Sequence, residues 1–346
     1  MAWLGLDVGG ANLKAADAAG FAASRPFALW RAPDRLTGEL RALLASAPHH
    51  RQIAVTMTAE LADCYATKAE GVRAVIAALG AATRGCDVWI YTTRGELVAP
   101  DEATDEPLAA AASNWHALAA LAVRWAGDKP AVLIDVGSTT TDLIPLVEGR
   151  PAARGATDPE RLQSGELVYM GVERTPVAAI VSRLPWRGAA CPVATELFAT
   201  SADAYVLLGD LPAELENCET ADGRPRTREA AHARLARMVC ADATMYADAD
   251  ALAAATAIRD AQLLIAAGAL RQVVDGMTAP PELVILSGHG EFLAQRLVAE
   301  FPWGGRSPEV LSLNKELGPQ RSRCAPAYAL AVLAEGRRPP ERASLL

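Results

Sequence analysis

Apolar residues alternate with small or polar ones at Leu4, Leu6 and Val8, the run breaks at Gly9-Gly10, and a second apolar stretch follows from Leu13 to Ala16. A period of two around a small-residue break predicts a half-buried strand, a tight turn and a returning strand. The pattern recurs at residues 133–145, LIDVGSTTTDLIP, with Ile144 and Leu146 alternating after the turn. Asp7-Val8-Gly9-Gly10 matches Asp135-Val136-Gly137-Ser138 at an offset of 128 residues, and a further turn follows each copy, at Ala19-Gly20 and Glu148-Gly149. Gln52 to Met57 reads as another strand. Near the end, Leu283-Val284-Ile285-Leu286 reads as a strand, followed by the turn Ser287-Gly288-His289-Gly290-Glu291 and an amphipathic stretch through Leu297. Residues 167–176 read as strand, turn and helix. The spacing predicts helices over Glu229–Ala247 and about Ala249–Val274, the latter with Leu263, Ala267, Leu270 and Val274 on one face. A final helix opens at Ala325-Pro326 and packs back, and Gly336 to Pro340 reads as a mobile surface exit.

The doubled hairpin carries the chemistry. Small residues at the turns Gly9-Gly10-Ala11-Asn12 and Gly137-Ser138-Thr139-Thr140 let the backbone come close to a ligand, so that several N–H groups point at phosphate oxygens. An aspartate ending each first strand, Asp7 and Asp135, can hold a hydrated Mg2+ that bridges phosphates. Lys14 adds a point charge. Two plain β-hairpins would show the same residues singly, but two copies in register favour a phosphate site. The strand–glycine turn–helix around Gly288 is a third place for a nucleotide or phosphate to rest.

Beyond Met57, Glu60 and Asp63 are either general-base candidates in a loop facing a cleft or solvated helix-start residues, and Lys68 is less distinctive. In the alanine-rich stretch after Ser113, Asn114 faces a cleft, Trp115 anchors helix to sheet, and His116 is a surface or hydrogen-bonded histidine. His49-His50 reads as an exposed loop. Arg224, Arg226 and Arg228 either clamp a phosphorylated substrate or form a solvated loop before a helix capped by Thr227.

Charge and composition narrow the classes. Lys and Arg number 33 against 41 Asp and Glu, a net charge of −8, which disfavours a broad nucleic-acid face. The hydrophobic fraction of 51% supplies a core for about two domains, although alanine contributes much of it. No signal peptide and no run of spanning length are read from the sequence, and the six scattered cysteines read as reduced thiols of a cytoplasmic protein without a zinc or iron–sulfur site.

The order of the three segments resembles the acetate kinase, sugar kinase, Hsp70 and actin superfamily. The resemblance implies a two-lobed α/β fold, duplicated and ribonuclease H-like, with a central cleft. Lobe one would span residues 1–130, lobe two 131–325, and the closing helix and tail 326–346. DVGGANLKAA, TMTAELAD, ASNWHALA, IDVGSTTTDLIP, GVERTPV, ELFATSADAYVLLGD and TADGRPRT together resemble a narrower family, the hydantoinase/oxoprolinase-related proteins of tetrahydromethanopterin-linked one-carbon pathways. That resemblance implies an aryl ether-forming transfer in methanofuran or methylofuran synthesis. A γ-glutamyl-tyramine-like phenol would displace diphosphate from 5-(aminomethyl)furan-3-ylmethyl diphosphate. Asp7 and Asp135 would hold Mg2+, and Lys14 with the turn residues and Gly288 would hold phosphate. Glu60 or Asp63 would be the base, and Asn114, Arg174 and Arg224 would contact substrate. Partners would be these small molecules, with no nucleic acid or membrane, and a homo-oligomer is left open. The alternatives are an ATP-dependent small-molecule kinase, with Ser287 to Gly290 against adenosine, and a non-catalytic nucleotide-dependent switch. The longer hydantoinase and oxoprolinase subunits lend no ring-opening activity to a chain of this length.

Overall fold

The structure, a computed structural model, describes residues 2–336, and the tail expected beyond Gly336 lies outside the described residues. Strands β1 (Trp3–Val8), β2 (Asn12–Asp17) and β3 (Ala22–Pro26) form an antiparallel meander. Helix α1 (Leu36–Ser46) returns the chain to β4 (Gln52–Met57), and α2 (Lys68–Ala82) returns it to β5 (Asp87–Tyr91) and the short β6 (Leu97–Val98). Helical crossovers make β1, β4 and β5 parallel neighbours, in the sheet order β3-β2-β1-β4-β5-β6. Short helices α3 (Pro100–Asp105) and α4 (Pro107–Ala110) lead into α5 (Asn114–Ala126).

The second half repeats the plan. Strands β7 (Ala131–Val136), β8 (Thr141–Val147) and β9 (Arg150–Pro151) precede α6 (Asp158–Ser164) and β10 (Leu167–Val168). An excursion follows: α7 (Val177–Ile180), the ribbon β11 (Arg183–Trp186) and β12 (Ala189–Pro192), then α8 (Ser201–Leu208), α9 (Arg228–Met238) and α10 (Asp248–Asp275). The sheet resumes with β13 (Leu283–Ser287), α11 (Glu291–Glu300) and β14 (Glu309–Ser312), in the order β10-β8-β7-β13-β14. Each sheet is therefore an antiparallel hairpin whose first strand continues into parallel strands. Helices α12 (Leu313–Leu317), α13 (Pro319–Arg323) and α14 (Ala325–Glu335) close the chain, and α14 packs back as expected.

The strands expected to be half-buried are buried on both faces. All six residues of β1 are inside: Leu4, Leu6 and Val8 meet Leu36 and Leu40 of α1 and Val72 and Val75 of α2, while Trp3 meets Ala329 and Leu330 of α14. Alternation marked only the side chains, whereas a central strand covered by helices on both sides has no polar face. Helix α5 lies between the sheets. Its Ala117 and Leu121 pack with Trp3, Ala54 and Tyr91, and its Trp115, Leu118 and Ala119 pack with Leu133, Ile144 and Ile285. With α14 it joins the two halves below the cleft.

Three local expectations are corrected. Helix α9 stops at Met238 rather than Ala247, because Cys240 turns left-handed (φ 57°) and the Asp242 carboxylate accepts from the Thr244 and Met245 N–H groups. His50 is buried, not exposed: its Nε2 lies 3.2 Å from Asp17 Oδ2, while Asp17 Oδ1 accepts the N–H groups of Ala19, Gly20 and Phe21. Helix α10, with 28 residues, has the length and hydropathy of a membrane-crossing helix, which the sequence reading had not found. It is packed against α8, α9 and α11, and its buried Gln262 bonds the Tyr205 hydroxyl and donates to the Gly171 carbonyl.

Gly5 is where β1 and α14 touch backbone to backbone, since a Cβ there would lie 1.8 Å from the Ala327 carbonyl oxygen. Gly5→Ala is expected to cost about 2–3 kcal/mol by forcing α14 off the sheet. Gly38→Ala, in open space on α1, should instead stabilise by about 0.5–1 kcal/mol. Urea unfolding of both variants checks the pair; equal stabilities would refute the contact.

Candidate active site

The two hairpin turns are copies in geometry as in sequence. Gly9 N–H donates to the Asn12 carbonyl at 3.0 Å, and Gly137 N–H donates to the Thr140 carbonyl at 2.8 Å. A side chain at Gly9 would sit 2.8 Å from the Asn12 oxygen, so only glycine allows so tight a tip. Both turns open onto one cavity of about 320 Å3 between the lobes, within the range of small-ligand clefts. Asp7, Gly9, Gly10, Ala11, Asn12 and Lys14 line it from the first lobe, and Asp135, Gly137, Ser138, Thr139 and Thr140 from the second. Glu60, Asp63, Asn114 and Arg174, all singled out from sequence, line it too.

The halves differ in charge. In the first hairpin Asp7 is paired across the strands with Lys14, whose Nζ lies 3.9 Å from Asp7 Oδ2. Burial raises the Asp7 carboxyl above its usual range and Lys14 opposes this. Asp7 Oδ1 is buried and has no hydrogen-bond partner among the described residues. In the second hairpin the residue facing Asp135 is Asp142, another acid. Burial and then the Asp142 charge lift Asp135 to about 6. Asp142 is held by the buried Arg161, which donates to its Oδ1 at 2.5 Å and whose guanidinium lies 4.2 Å from the Trp115 ring centroid. Among the lining side chains, six carboxylates (Asp7, Glu60, Asp63, Asp135, Asp142, Asp158) face three cations (Lys14, Arg161, Arg174).

Glu60 occupies a single helical turn, Ala59–Leu61, at the end of β4. It is 1% exposed, neither carboxylate oxygen has a hydrogen-bond partner among the described residues, and burial pushes its carboxyl up to about 7 against the pull of Lys68. Two packing facts fix it there. Gly71 lets α2 press on its backbone, since a Cβ at Gly71 would fall 2.4 Å from the Glu60 carbonyl oxygen. Lys68, at the start of α2, reaches across to Asp158 of α6 at 2.6 Å. Asn114 is set by a neighbouring relay, in which the Ser113 hydroxyl donates to the Tyr91 carbonyl and lies 2.7 Å from the Thr56 hydroxyl. Asp63 is exposed at the rim.

Two expected residues lie elsewhere. Gly288 (φ 93°) does not line the cavity; a side chain there would meet the Val136 carbonyl oxygen at 2.3 Å and Asp135 Oδ1 at 2.6 Å, so its turn is pressed beneath the second hairpin. Arg224 is an exposed loop residue near Asp222, and the arginine loop is structural. Arg226 is buried between Glu173 and Glu214, and Arg228 donates to the last carbonyls of α8, Val206 and Leu207. Thr227 does cap α9. Against burial, His289 and Arg226 hold Glu173 down at about 2. Sequence reasoning missed Asp142, Asp158, Arg161, Tyr169 and Trp30 in the lining. Of these, Asp142 was findable, because it stands at the repeat offset from Lys14.

The residues suit a hydrated divalent cation. Mg2+ takes one or two carboxylates and completes its shell with water and substrate phosphates. Asp7, with a buried free oxygen, and Asp135 at the matching strand position meet that need. Among the described residues no group of three or more His, Cys, Asp or Glu forms a protein cage for a metal.

The sequence profile of the family described as Hydantoinase/oxoprolinase matches residues 51–334. A relative from Methanocaldococcus jannaschii, named (4-{4-[2-(gamma-L-glutamylamino)ethyl]phenoxymethyl}furan-2-yl)methanamine synthase, is 32% identical over 96% of this chain and 97% of its own. One of the same name from Methanococcus vannielii is 27% identical over 60% of this chain and 91% of its own. Among solved structures, one described as a PilM-PilN type IV pilus biogenesis complex aligns with TM-score 0.50 at 15% identity, over 98% of this chain and 99% of that one. The two-lobed α/β fold with a central cleft that the resemblance implied is thus the fold observed, and it is shared with that solved structure.

A carboxyl at about 7 inside the cleft, against an ordinary 4.5, binds a proton more tightly when folded than when unfolded. Stability therefore declines as pH rises from about 4.5 to 7 and stays reduced above. Glu60→Gln should be more stable than the parent by roughly 2–3 kcal/mol at pH 8 and no more stable at pH 4.5. Urea midpoints at the two pH values test this, and a gain independent of pH would contradict it.

Proposed function

The chain belongs to the hydantoinase/oxoprolinase family, and from that premise we propose that it is a magnesium-dependent transferase of methanofuran or methylofuran biosynthesis. It joins a γ-glutamyl-tyramine-like phenol to 5-(aminomethyl)furan-3-ylmethyl diphosphate and releases diphosphate. One observation carries the reading: both acid-tipped hairpins and the near-neutral Glu60 face a single cavity. The phenoxymethyl furan in the name shared by both relatives supports it.

In this reading the bond between the furanylmethyl carbon and the diphosphate oxygen breaks with its electron pair going to diphosphate, and the phenol oxygen bonds to that carbon. The electron-rich furan spreads the positive charge, so a loose transition state is accessible. N–H groups of the two turns and Lys14 receive the charge that grows on the leaving group. Asp7 and Asp135 would hold Mg2+, which when bound neutralises diphosphate charge. A phenol with a pKa of about 10 loses its proton readily only to a base near the working pH. Glu60, at about 7 and inside the cleft, suits that role better than Asp63 at the exposed rim. Asn114 and Arg174 line the substrate space. The reading needs no ATP, and the cavity takes no lining residue from the 287–290 turn.

The test is direct. The full chain with Mg2+, the furan diphosphate and γ-glutamyl-tyramine should release diphosphate and form the ether, read by mass spectrometry. Asp7→Asn and Asp135→Asn should each lose about 100-fold or more in kcat. The rate should rise with pH through about 7 as Glu60 ionises, and Glu60→Gln should lose at least about 100-fold together with that limb. Absence of both products, or ADP formation from ATP with a hydroxyl acceptor instead, would overturn the assignment.

A further inference from the structure

Each hairpin tip carries a companion segment from its own lobe. On the first, Phe27 N–H donates to the Ala11 carbonyl and Leu29 N–H to the Gly10 carbonyl, both at 2.9 Å, which places Trp30 beside the turn. On the second, Glu173 and Arg174 N–H groups both donate to the Ser138 carbonyl at 3.0 Å. Gly171 lies so close that a Cβ would meet the Ser138 and Thr139 backbone at 2.5 Å. The segment therefore cannot shift without its turn. The companions meet across the cleft: the Arg174 guanidinium lies 4.3 Å from the Trp30 ring centroid, and both residues line the cavity.

The other two lining cations already have carboxylates. Lys14 faces Asp7 at 3.9 Å and Arg161 binds Asp142. Among the described residues no carboxylate is paired with Arg174. A guanidinium resting on an aromatic ring keeps its N–H groups free for a planar, two-pronged grip on phosphate oxygens.

We propose that Arg174, seated on Trp30, is the clasp for the outer phosphate of the diphosphate, with Trp30 as its positioning residue. The assignment rests on the reading of the cleft as a diphosphate site. The turns hold one phosphate; the clasp selects a substrate with two and neutralises the group that departs. It also ties the lobes together at the tips, beside the Arg31–Glu219 contact at 3.4 Å.

Calorimetry of the full chain with Mg2+ separates the possibilities, using inorganic diphosphate and orthophosphate as probes. Arg174→Leu should weaken diphosphate about 10- to 100-fold and orthophosphate less than about 3-fold. Arg174→Lys, which keeps the charge and the fold but not the fork, should recover only part. Trp30→Leu should cost diphosphate about 2- to 5-fold, and Trp30→Phe should restore it. Parental affinity in both Arg174 variants, or an equal loss for both probes, overturns the clasp while leaving the proposed reaction standing. Failure of the parent chain to bind diphosphate overturns the reading of the cleft itself, and the clasp with it.

Discussion

Carboxylates gathered in a poorly solvated space repel one another and repel any incoming anion, and this cleft gathers six of them around three cations. Burial is what lifts Asp7, Glu60 and Asp135 above their usual range, and at Asp135 the neighbouring Asp142 charge adds to it. A surface that only needed to be stable would not keep Asp7 Oδ1 and both Glu60 oxygens buried without partners, because each such atom carries a desolvation penalty. In the proposed reaction, positive charge arriving with the ligand would relieve that cost, so that a cation and a phosphate ester would each favour the binding of the other.

The scaffold makes the arrangement durable. Asp7 and Asp135 leave the ends of strands buried on both faces, so their positions are set by cores rather than by loops. Helices α5 and α14 pack between the sheets, with Gly5 against the Ala327 carbonyl as the tightest contact. Above that floor, the polar contacts between the lobes among the described residues include Lys68 with Asp158 on one side, and Trp30 with Arg174 and Arg31 with Glu219 on the other.

What could be read from the chain beforehand followed from local rules. Period-two alternation around glycine gave both hairpins, and the fixed offset tied Asp7 to Asp135 before any contact was known. The same offset leads from Lys14 to Asp142, so the charge reversal between the halves was legible too, though unread. Readings failed where a partner lies far away in sequence. Arg226 looked free for a ligand because Glu173 and Glu214 reach it only through folding, and His50 looked solvated because Asp17 comes from another strand. Trp30 left no signal at all: it sits in a short 3-10 turn outside every periodic segment, and its partner is on the other lobe.

The replacement of a lysine in one half by an aspartate in the other gives the gap a polarity. Were the two walls identical, an elongated guest could lie head to tail or tail to head with equal ease. With Lys14 behind one acid and Asp142 behind its counterpart, the walls are unlike, and a guest with dissimilar ends would be sorted into a single heading. Duplication supplied the vessel; the reversal of charge at one of its divergent positions gave it a bow and a stern.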